Sequence, residues 1–164
     1  MYRRGGGPLE VLLVHPGGPL WARKDEGAWS IPKGEYDSEV EDAFEAAKRE
    51  FTEETGLPPG TWHRSLGEAK LRSGKIVSAW AFQGDCDATA LLSNTFELEW
   101  PPHSGRRVRF PEADRAGWFA PDEAVDSSRP RPAWSTQRLK RLEAGSRCCW
   151  RSWPAWKAGY SSSR

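Results

Sequence analysis

Glu50, Glu53 and Glu54 are the residues whose spacing most directly suggests chemistry. On a helix turning about 100° per residue, Glu53 projects roughly 60° to one side of Glu50 and Glu54 about 40° to the other. The three carboxylates therefore share one stripe. Like charges at these spacings repel by a few tenths of a kcal/mol per pair, so helix stability alone would favour Lys or Arg there. A hard divalent cation reverses that argument: magnesium takes oxygen ligands and keeps its remaining positions for water and phosphate. Arg49 precedes Glu53 by four residues and is placed to pair with it, fixing its orientation. The competing reading is a solvated acidic helix face, which is common.

The elements needed to hold such a stripe are legible. From about Val40 to Thr55 the pattern is helical, with good helix formers at Ala43, Ala46, Ala47 and Lys48. Phe44, Ala47 and Phe51 recur at three- and four-residue intervals, an apolar face that anchors the helix to a sheet. Gly56, followed by Leu57-Pro58-Pro59, supplies the stop. Upstream, Leu9 to Val14 reads as a buried strand closed by the turn cluster His15 to Pro19, and Trp29-Ser30-Ile31 as a short extended piece. Downstream, Lys75 to Gln83 is a strand with both faces largely covered, and Phe96 to Trp100 alternates apolar residues with carboxylates. Val108 to Phe110 and Gly117 to Ala120 read as short strands, Asp122 to Val125 as a helical turn, and Thr136 to Ala144 as a short helix. Strands interleaved with helices indicate α/β layering. No internal repeat is visible.

The stretch Gly34 to Leu57, GEYDSEVEDAFEAAKREFTEETGL, resembles the box of the Nudix hydrolase family, G-x5-E-x7-R-E-U-x-E-E-x-G-U with U a bulky apolar residue. Arg49-Glu50-Phe51-Thr52-Glu53-Glu54-Thr55-Gly56-Leu57 matches its second half, and Glu41 stands at the required distance before Arg49. One departure is visible: six residues separate Gly34 from Glu41 where the pattern has five, an insertion in the loop entering the helix. The resemblance implies a Nudix-type α/β/α sandwich with a mixed central sheet and a loop-helix-loop catalytic motif. It implies metal-ligating roles for Glu50, Glu53 and Glu54, an orienting role for Arg49, a catalytic role for Glu53, and Mg²⁺, with Mn²⁺ as substitute. A carboxylate outside the box often completes such sites. Glu97 and Glu99, on one face of their strand, are the candidates, with Glu112 ranked behind them; an edge strand kept soluble by charge explains Glu97 and Glu99 equally well. Lys33, Gly34 and Arg107 are the candidates for holding substrate, although Arg106, Arg107 and Arg109 also read as a plain exposed strand face.

The implied activity is hydrolysis of a phosphoanhydride bond in a nucleoside diphosphate-linked substrate, as in an NTP-type pyrophosphohydrolase. The run Trp29 to Gly34 is also similar to that of diadenosine tetraphosphate hydrolases, and a catalytically weak nucleotide-binding module is the third option. Trp21, Trp29, Trp80 and Trp100 suggest base stacking, with core packing the simpler account.

With 164 residues, 37% of them apolar, the chain has enough material for one domain with a real core. Net charge is +1, which argues against nucleic acid or membrane partners; the resemblance implies a small nucleotide as the partner, with a homodimer left open. That total conceals an asymmetry. Residues 1–126 carry 15 Lys/Arg against 22 Asp/Glu, and residues 127–164 carry 9 against 1. The expected division is a Nudix domain over 1–126 and a basic, Trp-, Cys- and Ser-rich tail over 127–164. The tail has the composition of read-through in a shifted frame, a hypothesis that one undisturbed coding frame shared with relatives would end. A basic–aromatic arm for an anionic partner is the alternative. Three cysteines, two of them adjacent, make a poor disulfide framework, and no apolar run reaches the roughly 18 residues of a membrane helix. A cytoplasmic location is the expectation that follows.

Overall fold

The computed structural model describes residues 1–5, 7–70 and 74–128. The order of elements is β1 (Tyr2–Arg3), β2 (Glu10–Pro16), α1 (Ala43–Thr55), β3 (Arg64–Lys70), β4 (Ile76–Ala81), β5 (Thr95–Glu99), β6 (Arg107–Pro111), β7 (Ala113–Phe119) and α2 (Pro121–Asp126), with a single 3₁₀ turn at Ala88–Ala90.

β2 is the centre of the sheet. It pairs antiparallel with β1 on one side and along its length with β7 on the other. β3 and β4 form an antiparallel ribbon. That ribbon joins the rest through β1: Tyr2 donates its N–H to the Phe82 carbonyl at 2.9 Å and accepts from Gly84 N–H at 3.0 Å, a parallel bridge between Tyr2 and Gln83. The result is a mixed arrangement in the order β3-β4-β1-β2-β7. Ser30 extends it by exchanging two hydrogen bonds with Val14, so the short extended piece around Trp29 docks beside β2. β5 and β6 pair as a separate two-stranded unit.

Both faces of β2 are buried, which accounts for its unbroken apolar run. Leu12 packs with Phe51 and Phe82 under α1, whereas Val11 and Leu13 pack with Leu9, Trp29, Ala81 and Ala124, bringing α2 onto the opposite face. Each fully buried leucine contributes roughly 2 kcal/mol of transfer free energy. This is the α/β/α sandwich expected of the sequence. α1 is held by edge-to-face contact of Phe51 with Phe82 at 5.0 Å, and by Phe44 against His63 at 4.7 Å and Trp80 at 5.3 Å.

Several elements differ from expectation. α1 begins at Ala43 rather than near Val40, because Asp42 caps it by accepting from the Phe44 and Glu45 amides. The amides of Val40 and Glu41 instead donate to the Asp37 carbonyl, closing a turn that absorbs the extra loop residue and leaves Val40 exposed. β3 was not expected: Arg64-Ser65-Leu66-Gly67-Glu68-Ala69-Lys70 has no apolar alternation, and its place comes from pairing with β4. In β4, Ala79 and Ala81 are buried as expected, but Ile76, at the open end of the ribbon, is not. β7 starts at Ala113, longer than the Gly117–Ala120 segment expected, because its register with β2 runs back to Pro16. The helix expected at Thr136–Ala144 and the tail from 129 onward lie outside the described residues. No helix among the described residues is long and apolar enough to cross a membrane.

Candidate active site

The carboxylate stripe lies on the flank of α1 beside the Lys33-Gly34 segment. At its centre is Arg49, whose guanidinium grips Glu41 in two-pronged fashion, Nε to Oε1 at 3.1 Å and Nη2 to Oε2 at 3.0 Å. Its remaining Nη1 donates to Glu50 at 2.7 Å and to Glu53 at 3.0 Å. One planar cation thus orients three carboxylates, and their negative charge holds its proton more firmly than in an ordinary arginine, the Glu41 bonds first among the causes. The pairing with Glu53 follows from helical spacing. Those with Glu41 and Glu50 require the loop turn at Asp37–Glu41 to bring Glu41 alongside the helix.

Gly34 approaches Glu50 so closely that a Cβ there would fall 1.8–2.0 Å from the Glu50 carboxylate atoms. A side chain at position 34 would displace that carboxylate, so glycine here sets the geometry of an acidic group and supplies no contact of its own. Next to it, the Lys33 backbone N–H donates to Glu54 Oε2 at 3.3 Å. Burial pushes the Glu54 carboxyl up to about 7; the charges of Glu50 and Glu112 add to the push, while Lys33, through its charge and its N–H, acts against it.

Glu112 is therefore the carboxylate from outside α1 that bears on Glu54. It occupies the single residue between β6 and β7 and is pinned by its backbone. Its N–H donates to the Asn94 carbonyl at 2.8 Å, and Asn94 N–H donates to the Glu53 carbonyl at 2.8 Å. On its other side, the Glu112 carbonyl accepts from Gly17 N–H at 2.9 Å. A chain of backbone hydrogen bonds thus runs from the end of β2 through Glu112 and Asn94 to α1. The C-terminal end of α1 is fixed where Gly56, at φ +70°, donates to the Thr52 carbonyl and packs against Leu92.

The other sequence candidates sit elsewhere. Glu97 faces Arg109 at 3.2 Å and Arg107 at 3.7 Å across the β5–β6 unit, and Glu99 accepts from Gly105 N–H at 2.8 Å. All four side chains are on the exposed face of that unit. Arg107 has Glu97, not the α1 carboxylates, as its ion-pair partner. Trp29 is buried and packs on Phe119 at 4.8 Å, a core role; Trp21 is 38% exposed with Lys24 over its ring. The contributions of Glu41 and Asn94 were missed. Glu41 had a signal in its spacing to Arg49, but nothing local marks Asn94.

The donor set suits a hard cation: carboxylate oxygens only, one of them desolvated and raised by its acidic neighbours, beside a glycine that leaves room. Among the described residues no three acidic, histidine or cysteine side chains yet converge to coordination distance. Glu50 and Glu53 lean instead toward Arg49.

The chain matches the family model described as the NUDIX domain over residues 1–141. Among solved structures, a C. elegans Ap4A hydrolase in a binary complex is 22% identical, covering 88% of this chain and 93% of that one, with a TM-score of 0.50. A Nudix hydrolase from M. smegmatis, RenU, is 24% identical, covering 88% and 82%, with a TM-score of 0.47. No curated protein matches the chain closely enough to count as a relative.

Proposed function

Because the chain belongs to the Nudix hydrolase family, we propose that it cleaves a phosphoanhydride bond in a nucleoside diphosphate-linked substrate, using a divalent cation held by Glu50, Glu53 and Glu54. The observation that carries this reading is the half-buried Glu54 carboxylate, which burial, with a smaller part from the charges of Glu50 and Glu112, pushes up to about 7. A carboxylate cluster of that kind is costly without a cation and favourable with one. What the bound magnesium or manganese supplies is neutralisation of the diphosphate charge and acidification of a water for attack on phosphorus.

The chain's own residues do the remaining work. Arg49 and Glu41 hold Glu50 and Glu53 in place from behind. Gly34 admits the Glu50 carboxylate to the stripe. Lys33, exposed beside Glu54, offers its ammonium to phosphate oxygens. We place Glu112, rather than Glu97 or Glu99, in the role of the carboxylate that takes the proton of the attacking water, since it bears on Glu54 and its backbone is tied to α1 through Asn94. Arg107 is left with a phosphate-binding role only if the β5–β6 unit meets the distal part of the substrate.

The Ap4A hydrolysis named for the C. elegans protein belongs to this class of reaction, and at 22% identity the likeness speaks to the fold. The test is a panel of nucleoside triphosphates, dinucleoside polyphosphates and nucleotide sugars, assayed with and without Mg²⁺ beside a Glu53→Gln variant. Hydrolysis that requires Mg²⁺ and collapses in the variant is expected. Equal turnover by both proteins would remove the metal role of Glu53.

A further inference from the structure

His15, at the end of β2, is fully buried, the one ionisable side chain among the described residues to be so. Its Nδ1 lies 2.7 Å from Asp114 Oδ1 and its Nε2 lies 2.6 Å from the Lys24 carbonyl oxygen. A carbonyl only accepts, so Nε2 donates to Lys24, while Nδ1 shares its hydrogen bond with the Asp114 carboxyl. The groups around it extend the contact. Asp114 also faces Arg115 at 3.6 Å, and Arg115 reaches Asp25 at 3.3 Å. Trp29 donates Nε1–H to the same Asp25 oxygen and sets its ring edge-on to the imidazole at 5.4 Å.

An apolar side chain in this position would avoid the cost of desolvating a polar ring. What the imidazole achieves instead is a connection: it ties β7, through Asp114, to the middle of the loop 17–27, through Lys24. The tie spans the irregularity where the β2–β7 register shifts between His15 and Pro16. Just beyond it, Gly17 donates its N–H to the Glu112 carbonyl at 2.9 Å, and a Cβ at Gly17 would fall 2.1 Å from the Pro111 oxygen. The loop therefore leaves β2 in direct contact with the backbone that carries Glu112.

We propose that His15 is a positioning residue for Glu112, acting as a two-ended clamp that seats the loop 17–27 against β7 and so fixes the Gly17–Glu112 contact. This rests on the role given to Glu112 above. The chain of contact is His15 to Asp114 and Lys24, loop to Gly17, Gly17 to Glu112; no part of it touches substrate.

The experiment combines kinetics with two spectroscopic readouts on the full chain. In the wild type, ¹⁵N NMR of the imidazole assigned to His15 should show Nε2 protonated and hydrogen-bonded, as its contact with the Lys24 carbonyl requires. H15F, which removes both ring nitrogens at similar size, should lower kcat by about 10-fold with KM changed by less than about 3-fold, and should speed amide exchange at Gly17. Placed in an E112Q background, H15F should cause no further loss of kcat, because the two act as a unit. H15Q, whose amide retains two N–H donors, should recover most of the loss. If H15F fails to fold, D114N takes its place in the same cycle. A loss of kcat that multiplies with that of E112Q, or unaltered Gly17 exchange, overturns the clamp while leaving Glu112 in its role. Undiminished turnover by E112Q alone overturns the role of Glu112, and the positioning function with it.

Discussion

The molecule presents two sets of carboxylates that look alike in sequence and differ in physics. Glu97 and Glu99 project from the open face of β5, and Glu97 has Arg109 directly across from it and Arg107 on the diagonal. Water and arginine meet the charge of Glu97. Glu50, Glu54 and Glu112 come from separate places, two from α1 and one from the gap between β6 and β7, and their charges meet at Glu54, which is largely cut off from water. Lys33 only partly answers that charge. What distinguishes a site from a soluble surface here is the balance of desolvation against compensation, not the number of acids.

Removing a group from each set is the sharpest way to break the comparison. Glu112→Gln should lower kcat by roughly 10²–10⁴-fold in the presence of magnesium, the range for losing a positioned base. Glu97→Gln should stay within about 3-fold of wild type in the same assay, since surface pairs contribute little. Equal losses in the two variants would return Glu97 to the site. Arg49→Lys comes next. A lysine keeps the charge but cannot grip Glu41 with two prongs while also reaching Glu50 and Glu53. A drop in kcat or in metal affinity of about 10–100-fold is expected, the scale for losing an orienting partner, and metal titration of the variant would measure it.

How far this contrast could be read in advance depended on distance along the chain. The stripe on α1 was legible because a helix converts spacing into direction: Glu50, Glu53, Glu54 and the Arg49–Glu53 pair all lie within one turn and a half. The core strand β2 was legible because burial on both faces leaves a continuous apolar run. Glu112 is hard to single out from the sequence because nothing near it signals a site. Its importance comes from Asn94 and Gly17, partners 18 and 95 residues away along the chain, through backbone atoms that carry no residue-type signal. β3 was invisible for the same reason: its polar residues are placed by β4. The alternation at Phe96 to Glu99 was read correctly as a strand, and its acidic face meets the arginines of β6.

The third test concerns stability in the absence of metal. The Glu54 carboxyl is raised from about 4.5 to about 7 in the fold, mainly by burial. A carboxyl raised on folding binds its proton more tightly in the native state. Its contribution is fully present below about pH 4.5 and is lost as the pH rises through about 7. In chelator, the wild type should therefore lose on the order of 2–3 kcal/mol from this group between pH 4.5 and 8 relative to Glu54→Gln, which has no proton to lose. For a domain of this size that is a divergence in Tm of several degrees between the two proteins, readable by thermal denaturation at matched pH. Parallel curves would mean that Glu54 is not desolvated as described, and would bring the two carboxylate sets closer together.

The smallest effect is expected at the β5–β6 pairs, and it tests the comparison from its other side. Arg109 Nη2 meets Glu97 Oε1 at 3.2 Å with more than half of the arginine side chain exposed. Holding two long side chains in one geometry costs entropy, and salt screens what attraction remains. A double-mutant cycle with Glu97→Ala and Arg109→Ala should give a coupling of about 0.2–1 kcal/mol in low salt, shrinking toward zero near 1 M. Activity on a short substrate should be untouched. A larger coupling that resists salt would show that this face is shielded in the working protein, by substrate or by a second molecule. Only in that case would its arginines, Arg107 among them, regain a part in holding phosphate.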